Sequence, residues 1–407
     1  MLITPQQALR IVIASARPLR PVLAPLAEAL GLCLAQDIRA DRDQPPADRS
    51  AMDGYAVRAA DLAHVPGRLK LIGEVAAGSS PRLHVGPGSC AVILTGGNLP
   101  RGADTVVPVE QTERGATLPE EVVFLEPVRV GSHIRRRGEE AVRGRVLLTK
   151  GTRLGPAQIG VCAMVGKAQV KVFPRPKVAV ICTGAEVRDV AQPVSPHELR
   201  DSNGPALQAA MADLGFPGAS RCLVTDSPRA IASCLARAAK TAQVVILTGG
   251  VSVGQYDFVP EAIGRIGGRI RFHGVKMKPG QPQLYATLSG NRHVFGLPGN
   301  PVSVMTGFYE LVLPALRRLG GAGEDACRPA CMLPLAKPAR SKGNRAYFAL
   351  ARLIATKEGP AAAPVESAGS ADLIAACKAD GVIVIPAGVT ELPAGAMVEF
   401  HAWTTAR

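Results

Sequence analysis

Aromatic side chains are scarce: nine phenylalanines, five tyrosines and one tryptophan make up 4% of the 407 positions. Sequence-tolerant binding of single-stranded nucleic acid relies on such rings, and duplex binding on a basic stripe. Here the only basic run is Arg135-Arg136-Arg137, so no nucleic-acid partner is expected. An apolar run of the roughly 20 residues that cross a bilayer is also missing. The opening Met1-Leu2-Ile3-Thr4-Pro5 has no basic segment followed by an apolar stretch, so no signal peptide is read. A cytoplasmic protein without membrane contact is the expectation. The nine cysteines are odd in number and follow no framework spacing, which describes reduced, mostly buried thiols. Cys327 and Cys331 are the closest pair, and no second pair or histidine cluster completes a zinc site. Acidic residues are in deficit as well, 33 against 47 Lys and Arg, for a net charge of +14. A field of that sign concentrates anions, and small phosphorylated or oxyanionic ligands fit best.

What is present is a soluble globular composition, 47% hydrophobic and 20% charged, with 34 prolines and 43 glycines fixing many turns. A chain of this length exceeds one ordinary core, so two to four domains are expected. Thr4-Pro5-Gln6-Gln7 reads as a capping box that starts a helix running to about Ser15. A second helix is expected over residues 22–30, ending at Gly31. From about 46 to 145 the chain turns β-rich, with short apolar runs at Leu69–Val75, Cys90–Leu94, Thr105–Val109 and Val122–Leu125. Helical character returns around Pro156–Val165. Residues 1–45 with 146–173 are therefore read as a helical linker domain, and 46–145 as a β-rich inserted domain.

After Pro174-Arg175-Pro176 the rhythm changes again. Val178–Cys182 and Val244–Leu247 are runs of buried-strand type. Helices follow from Ser202 or Asn203 and from Ser227-Pro228, which together predict a doubly wound α/β domain with a parallel sheet over 174–323. Asn300-Pro301 starts a long helix that Pro314 is expected to bend. Strands at Tyr347–Ile354, Val382–Ile385 and Met397–Phe400 predict a C-terminal β-barrel over 324–407.

Ligands of open parallel sheets sit at the carboxyl ends of the strands. Both clear strands end there in glycine loops, Thr183-Gly184-Ala185-Glu186 and Thr248-Gly249-Gly250-Val251-Ser252-Val253-Gly254. Glycine lets backbone amides approach phosphate oxygens closely, although a tight strand-to-helix turn needs glycine in any case. Glu186, Asp226 and Asp257 form a candidate Mg²⁺ set, because Mg²⁺ takes a few carboxylates together with phosphate oxygens. Asp226 beside the Ser227-Pro228 helix start, and Asp257 as a cap, are equally open to structural roles. Lys276 and Lys278 share one face of an extended segment and suit an oxyanion, or form an exposed basic strand face. Leu297-Pro298-Gly299-Asn300-Pro301 offers a helix N-terminus to an anion, or is an ordinary cap. Ile134–Glu140, with Arg135 and Glu140, reads by default as a solvated charged turn. Physics alone gives Asp53 in Ser50–Val57 no role. No Ser/His/Asp triad or catalytic cysteine setting is evident, and the histidines have no metal-ligand spacing.

Taken in order, Ser50–Val57, Leu94–Glu110, Ile134–Glu140, Val178–Glu186, Asp201–Asn203, Leu247–Asp257, Met277–Pro282 and Leu297–Ser303 resemble the MoeA family of molybdopterin molybdenumtransferases. That family is also represented in the E-domains of gephyrin and plant Cnx proteins. The resemblance covers nearly the full chain. It implies four domains, the α/β one of molybdopterin-binding type, and an elongated homodimer in which the sheet domain of one subunit faces the β-rich insertion of the other. The implied substrates are molybdate and molybdopterin-adenylate, the latter made by a separate molybdopterin adenylyltransferase. Dithiolene sulfurs capture molybdate, the phosphoanhydride is cleaved with Mg²⁺, AMP leaves, and molybdenum-dependent apoenzymes receive the product.

By the same resemblance Asp53, Glu186, Asp257 and Lys278 are catalytic. Thr95, Arg135, Glu140, Gly184, Gly249, Gly250, Ser252, Lys276, Pro298 and Pro301 line the site, and Arg345 and Ser370 hold molybdate. Three positions depart from the pattern: Glu140 stands where aspartate is common, Gln281 where lysine is often found, and Lys276 where some relatives place their first lysine elsewhere. Two other readings differ in kind. An adenylyltransferase shares the Thr-Gly-Gly loop but is little more than one domain. A receptor-clustering scaffold has no need of Asp53, Glu186, Asp257 and Lys278.

Overall fold

Thr4 starts the first helix by capping it twice. Its hydroxyl accepts from the Gln7 N–H, the Gln7 side chain accepts from the Thr4 N–H, and Pro5 opens α1 (Pro5–Ser15). The computed structural model describes residues 2–76, 78, 82–114, 120–251 and 258–403. These fall into two units. The first takes Met1–Ala35, Gly151–Gly155 and Gln169–Arg407, and the second Gln36–Lys150 and Pro156–Ala168.

The helix expected over residues 22–30 is not formed. Val22–Pro25 is a strand and Leu26–Glu28 a single 3-10 turn. Val22–Pro25 pairs antiparallel with Gln169–Phe173, which also takes Cys33–Leu34 on its other side. Pairing with a distant segment overrides good helix formers, and Pro25 disfavours a helix through this stretch. The stretch read as a helical linker therefore contributes a three-stranded sheet.

The centre of the first unit is a six-stranded sheet. Its strands in chain order are β1 (Val178–Thr183), β2 (Ser220–Val224), β3 (Val244–Thr248), β4 (Arg269–His273), β5 (Leu284–Leu288) and β6 (Arg292–Leu297). Their spatial order is β2-β1-β3-β6-β5-β4. The first four neighbours run parallel, with Ile181 opposite Leu247 and Leu247 opposite Gly296. The expected all-parallel sheet is corrected at the other edge, where β5 and β4 run antiparallel. β5 and β6 are joined through Ser289-Gly290-Asn291, too short for anything but a hairpin.

Both faces of the sheet are covered, as the continuous apolar strands require. Val178, Val180 and Cys182 pack with Leu207 and Met211 of α2 (Asn203–Asp213), with Ala8 and Val12 of α1, and with Phe308. Ala179 and Ile181 pack on the opposite side with Ile231 and Leu235 of α3 (Pro228–Thr241) and Val259 and Ile263 of α4 (Val259–Arg265). α5 (Pro301–Gly307) continues through a π-helical turn, Phe308–Val312, into α6 (Leu313–Leu319). The irregular turn therefore lies just ahead of Pro314, where a bend was expected.

The C-terminal part of this unit is built on a further sheet. Cys331–Pro334, Ala346–Thr356, Gly381–Ile385 and Met397–Ala402 pair antiparallel around Leu333, Ile383, Ile385 and Phe400. Gly359–Pro364 adds to Ala346–Thr356. A single bridge from Leu335 to Ala362 brings the two ends together, which makes a partial barrel.

The second unit is built on another six-stranded sheet, with Gly54–Val57 flanked by Ser89–Ile93 and Thr105–Pro108. Gly54 is required there, because a Cβ would lie 2.0 Å from the Val107 carbonyl oxygen. The helix Pro156–Met164 belongs to this unit. Among the described residues no helix is long and apolar enough to cross a membrane.

Candidate active site

The carboxyl ends of β1, β3 and β6 deliver three loops to one edge of the sheet, and together they line a cavity of about 550 Å³. Gly184 and Glu186 come from the loop after β1, Gly249 and Gly250 from that after β3, and Gly299, Asn300 and Pro301 from the start of α5. Gly249 has φ 88°, and a Cβ there would sit 2.3 Å from the Thr183 carbonyl oxygen. No other residue lets this loop lie so close to its neighbour. Asp226, beyond β2, enters the same cavity, and its carboxylate accepts from the Thr183 hydroxyl at 3.0 Å. Ser227 caps α3 independently, accepting from the Ala230 N–H, so the helix start does not depend on Asp226.

Glu186 and Asp226 form no ion pair with any described residue. Asp201, by contrast, is consumed structurally. Its buried carboxylate accepts from the Gly204 N–H at 2.9 Å, which caps α2, and pairs with Arg221 at 2.7 Å. Cys182 lines the cavity, but burial pushes its thiol up to about 12, so it stays protonated and serves as wall. Asp257 and Ser252 lie outside the described residues. Among the described residues no cluster of three or more His, Cys, Asp or Glu side chains stands at metal-binding distance.

Side-chain bonds across long stretches of sequence hold the rim together. Asn203 Nδ2 donates to the Gly299 carbonyl at 2.8 Å, and Asn300 Nδ2 donates to the Ser370 hydroxyl at 2.9 Å. The Val302 N–H donates to the Ser370 carbonyl. Ser370 thus stands at the N-terminus of α5, beside Pro301, while Pro298 is buried just before it. Sequence places Asn203 at a helix start and Asn300 and Thr183 in loop motifs, without assigning any of the three a site role. Asn203 and Asn300 lie at helix starts and inside the stretches Asp201–Asn203 and Leu297–Ser303 that carry the resemblance, but nothing local marks the bonds they make.

The lysine segment is tied to the same helix. Met277–Lys278 pairs parallel with Ala346 and Tyr347, and Lys278 Nζ stands 5.1 Å from the centre of the Tyr347 ring. Arg345 Nη1 donates to Gln281 Oε1 at 2.6 Å, while its Nε is buried without a partner among the described residues. Gln283 in the following turn reaches the Ser303 carbonyl of α5. Lys276 is exposed, and its backbone bonds with Ile3 and Ala346.

In the second unit the Asp53 carboxylate accepts twice from Thr95, from the N–H at 2.6 Å and the hydroxyl at 2.7 Å. The Thr95 hydroxyl and N–H hold the exposed Asp53 below the usual carboxylate range. All three arginines of the charged turn are paired: Arg135 with Glu140, Arg136 with Asp48 at 2.7 Å, and Arg137 with Asp43 at 2.6 Å. The arginine side chains stay half or more exposed, so this is a solvated charged turn as read, tied by two of its pairs to Asp43 and Asp48 upstream.

A doubly wound sheet with glycine loops, a helix start and carboxylates that lack ion-pair partners among the described residues, all gathered at its strand ends, defines an α/β protein of the class that binds ligands at that edge. Comparison with known proteins makes the class particular. Residues 3–166 match the model of the "MoeA N-terminal region (domain I and II)", 179–318 the "Probable molybdopterin binding domain", and 332–403 the "MoeA C-terminal region (domain IV)". Molybdopterin molybdenumtransferase 2 of Mycobacterium tuberculosis is 34% identical over 403 residues, covering 97% of this chain and 98% of the relative. The molybdopterin molybdenumtransferase of a Nostoc species is 37% identical over 299 residues, 72% of this chain and 68% of the relative. The crystal structure of the MoeA protein of Pyrococcus horikoshii OT3 superposes with a TM-score of 0.83 at 28% identity, over 99% of this chain and 100% of that one. The chain belongs to the MoeA family, and it is an enzyme of the transferase class.

Proposed function

We propose that the chain inserts molybdate into adenylylated molybdopterin and releases AMP, in the cytoplasm, as a Mg²⁺-assisted step of molybdenum cofactor biosynthesis. The observation that carries this reading is one helix, α5, whose N-terminus lines the carboxylate-bearing glycine-loop cavity and bonds Ser370, and whose first turn is bonded by Gln283 of the stretch that also holds Lys278 and the Arg345 partner Gln281. The first half suits a pyrophosphate, and the second suits a tetrahedral oxyanion.

The donor set fits Mg²⁺. Glu186 and Asp226 bring two carboxylates without ion-pair partners to a cavity that also presents backbone amides, and Mg²⁺ takes a few carboxylates plus phosphate oxygens. Those two residues would hold it, with Asp257 as a third ligand. When bound, Mg²⁺ neutralises the charge that grows on the leaving phosphate. The chain's own groups do the rest. Amides of Gly184 and Gly250 bind phosphate oxygens, while Gly249, whose N–H is donated to the Leu297 carbonyl, and Pro301, which has no N–H, shape the wall beside them. Lys278 and Lys276, Arg345 and the Ser370 hydroxyl orient molybdate toward the dithiolene sulfurs. Gln281, tied to Arg345, replaces a cation with a neutral amide, so the molybdate subsite carries one charge less.

Asp53, Thr95, Arg135 and Glu140 complete the site in this proposal, supplied by the partner subunit of a homodimer. The low pKa of Asp53 supports a role for it as an ionised group. A molybdopterin adenylyltransferase would deliver the substrate, and molybdenum-dependent apoenzymes would receive the product.

The test is AMP release from purified protein given molybdopterin-adenylate, Mg²⁺ and molybdate, with a control lacking molybdate. Molybdate-dependent release with formation of active cofactor is expected. Tight substrate binding without release would sink the reaction and leave a carrier. The dimer assignment has its own test: Asp53→Asn and Glu186→Gln chains, each inactive alone, should recover activity when co-expressed. No recovery in verified mixed dimers would place both residues in one subunit's site.

A further inference from the structure

The first unit holds another cavity, of about 270 Å³, which shares no lining residue with the one at the sheet edge. Three arginines line it, Arg153, Arg175 and Arg317, together with Phe173, Phe216 and Pro329. No carboxylate is part of the lining, and none of the three arginines forms an ion pair with a described residue.

Two of the guanidinium groups converge on one point. A methyl group at Gly31 would lie 3.4 Å from Arg175 Nη2 and 3.7 Å from Arg153 Nη2. Backbone carbonyls fix two of the three arginines, Arg175 through Leu30 at 2.7 Å and Arg317 through Cys327 at 3.1 Å. Burial, and then the neighbouring Arg153, weaken the Arg317 cation below its usual strength. Arg317 is half-buried, whereas Arg153 and Arg175 are exposed at the mouth; like charges gathered there without counter-charge repel one another, and an anion placed among them relieves that repulsion. The Phe173, Phe216 and Pro329 walls favour an apolar body attached to the charged end.

We propose that this cavity is a binding site for a small organic oxyanion, a carboxylate or phosphate ester bearing a flat apolar group. The charged end lies among Arg153, Arg175 and Arg317, and the apolar body rests against Phe173 and Phe216. The site is separate from the proposed molybdate and adenylate subsites, and its occupancy needs no divalent cation.

Titration calorimetry of the full chain in EDTA tests this, with phenyl phosphate as probe. Inorganic phosphate, benzoate and benzyl alcohol serve as comparisons. Expected is one saturable phenyl phosphate site per chain. Loss of a charge-assisted hydrogen bond should weaken it about tenfold or more in Arg153→Gln. Inorganic phosphate should bind at least about tenfold more weakly than phenyl phosphate, and benzyl alcohol should not saturate. Benzoate that competes with phenyl phosphate supports a general oxyanion site, and benzoate that does not narrows the ligand to phosphate esters. Three results would overturn the proposal: no saturable binding, affinity unchanged in folded Arg153→Gln, or equal affinity for inorganic and phenyl phosphate. If Arg153→Gln does not fold, Arg175→Gln serves the same comparison.

Discussion

Two places in the first unit hold carboxylates in opposite ways. Under the partial barrel, Glu310 is buried with His401, and the two pair at 2.7 Å. Arg328 reaches Glu310 at 3.1 Å and Glu399 at 3.5 Å, and His401 also meets Glu399 at 3.0 Å. Each charge in that cluster meets its opposite. At the sheet edge, Glu186 and Asp226 face a cavity with no cation of the described chain paired to them. The difference separates charge used to build from charge held for a ligand. A buried charge without a partner is costly, so the closed cluster should govern stability, while the open pair should govern chemistry.

Breaking the open pair should have the largest effect. Glu186→Gln and Asp226→Asn are each expected to lower AMP release by about 10²-fold or more, the scale of losing one transition-state electrostatic contact. Thermal midpoints should stay close to wild type, since neither substitution removes an ion pair. Equal turnover with lowered stability would invert the assignment. Chelation should act in the same direction: EDTA is expected to bring AMP release to background, and added Mg²⁺ to restore it, with no dependence in the Glu310 cluster's stability.

Breaking the closed cluster should move stability instead. Glu310→Gln leaves Arg328 and His401 with one acid fewer and should cost about 3 kcal/mol, measured by denaturant unfolding. Activity per folded molecule should be unchanged. The same cluster predicts a pH signature. Burial opposes the His401 cation, but the Glu310 hydrogen bond and charge outweigh it, and the net shift is upward. A raised folded-state pKa contributes stability in full below the unfolded value, about 6.5, and loses it as pH rises through the folded value. The stability margin of wild type over His401→Gln should therefore be widest near pH 6 and narrow toward pH 8.5. A margin that grew with pH would refute the pairing.

The smallest effect is expected at Asp53. Thr95→Val removes the hydroxyl donor at 2.7 Å and keeps the backbone one. The Asp53 pKa should rise toward the ordinary carboxylate value, and the acid limb of the pH–rate profile should move to higher pH. An unmoved acid limb would show that Asp53 ionisation does not limit turnover.

Sequence legibility followed how local the deciding contacts are. Val178–Thr183 and Val244–Thr248 were readable because strands covered on both faces must be apolar throughout. The Thr4 capping box was readable because both its bonds lie within three residues. The stretch Val22–Pro25 was not, because its partner Gln169–Phe173 lies far along the chain. The hairpin Leu284–Leu297 has only the short turn Ser289-Gly290-Asn291 as its local mark. In the site, the glycine loops and their carboxylates were legible as strand-end features. The bonds that assemble them, Asn300 to Ser370 and Arg345 to Gln281, join residues more than sixty positions apart, and no local pattern encodes them.

The π-helical turn at Phe308–Val312 has a consequence for phase. Each residue of an α-helix advances the side chain by about 100° around the axis, and a wide turn accommodates one residue beyond the regular count. Pro301 and Arg317 stand at opposite ends of this continuous helix, one lining the sheet-edge cavity and the other the arginine cavity. Deleting a single residue from 308–312 would regularise the helix and rotate its second half by about 100°. Leu316 and Leu319 would leave the core, and Arg317 would swing off its cavity. The wide turn acts as an angular offset that lets one helix address two differently oriented surfaces.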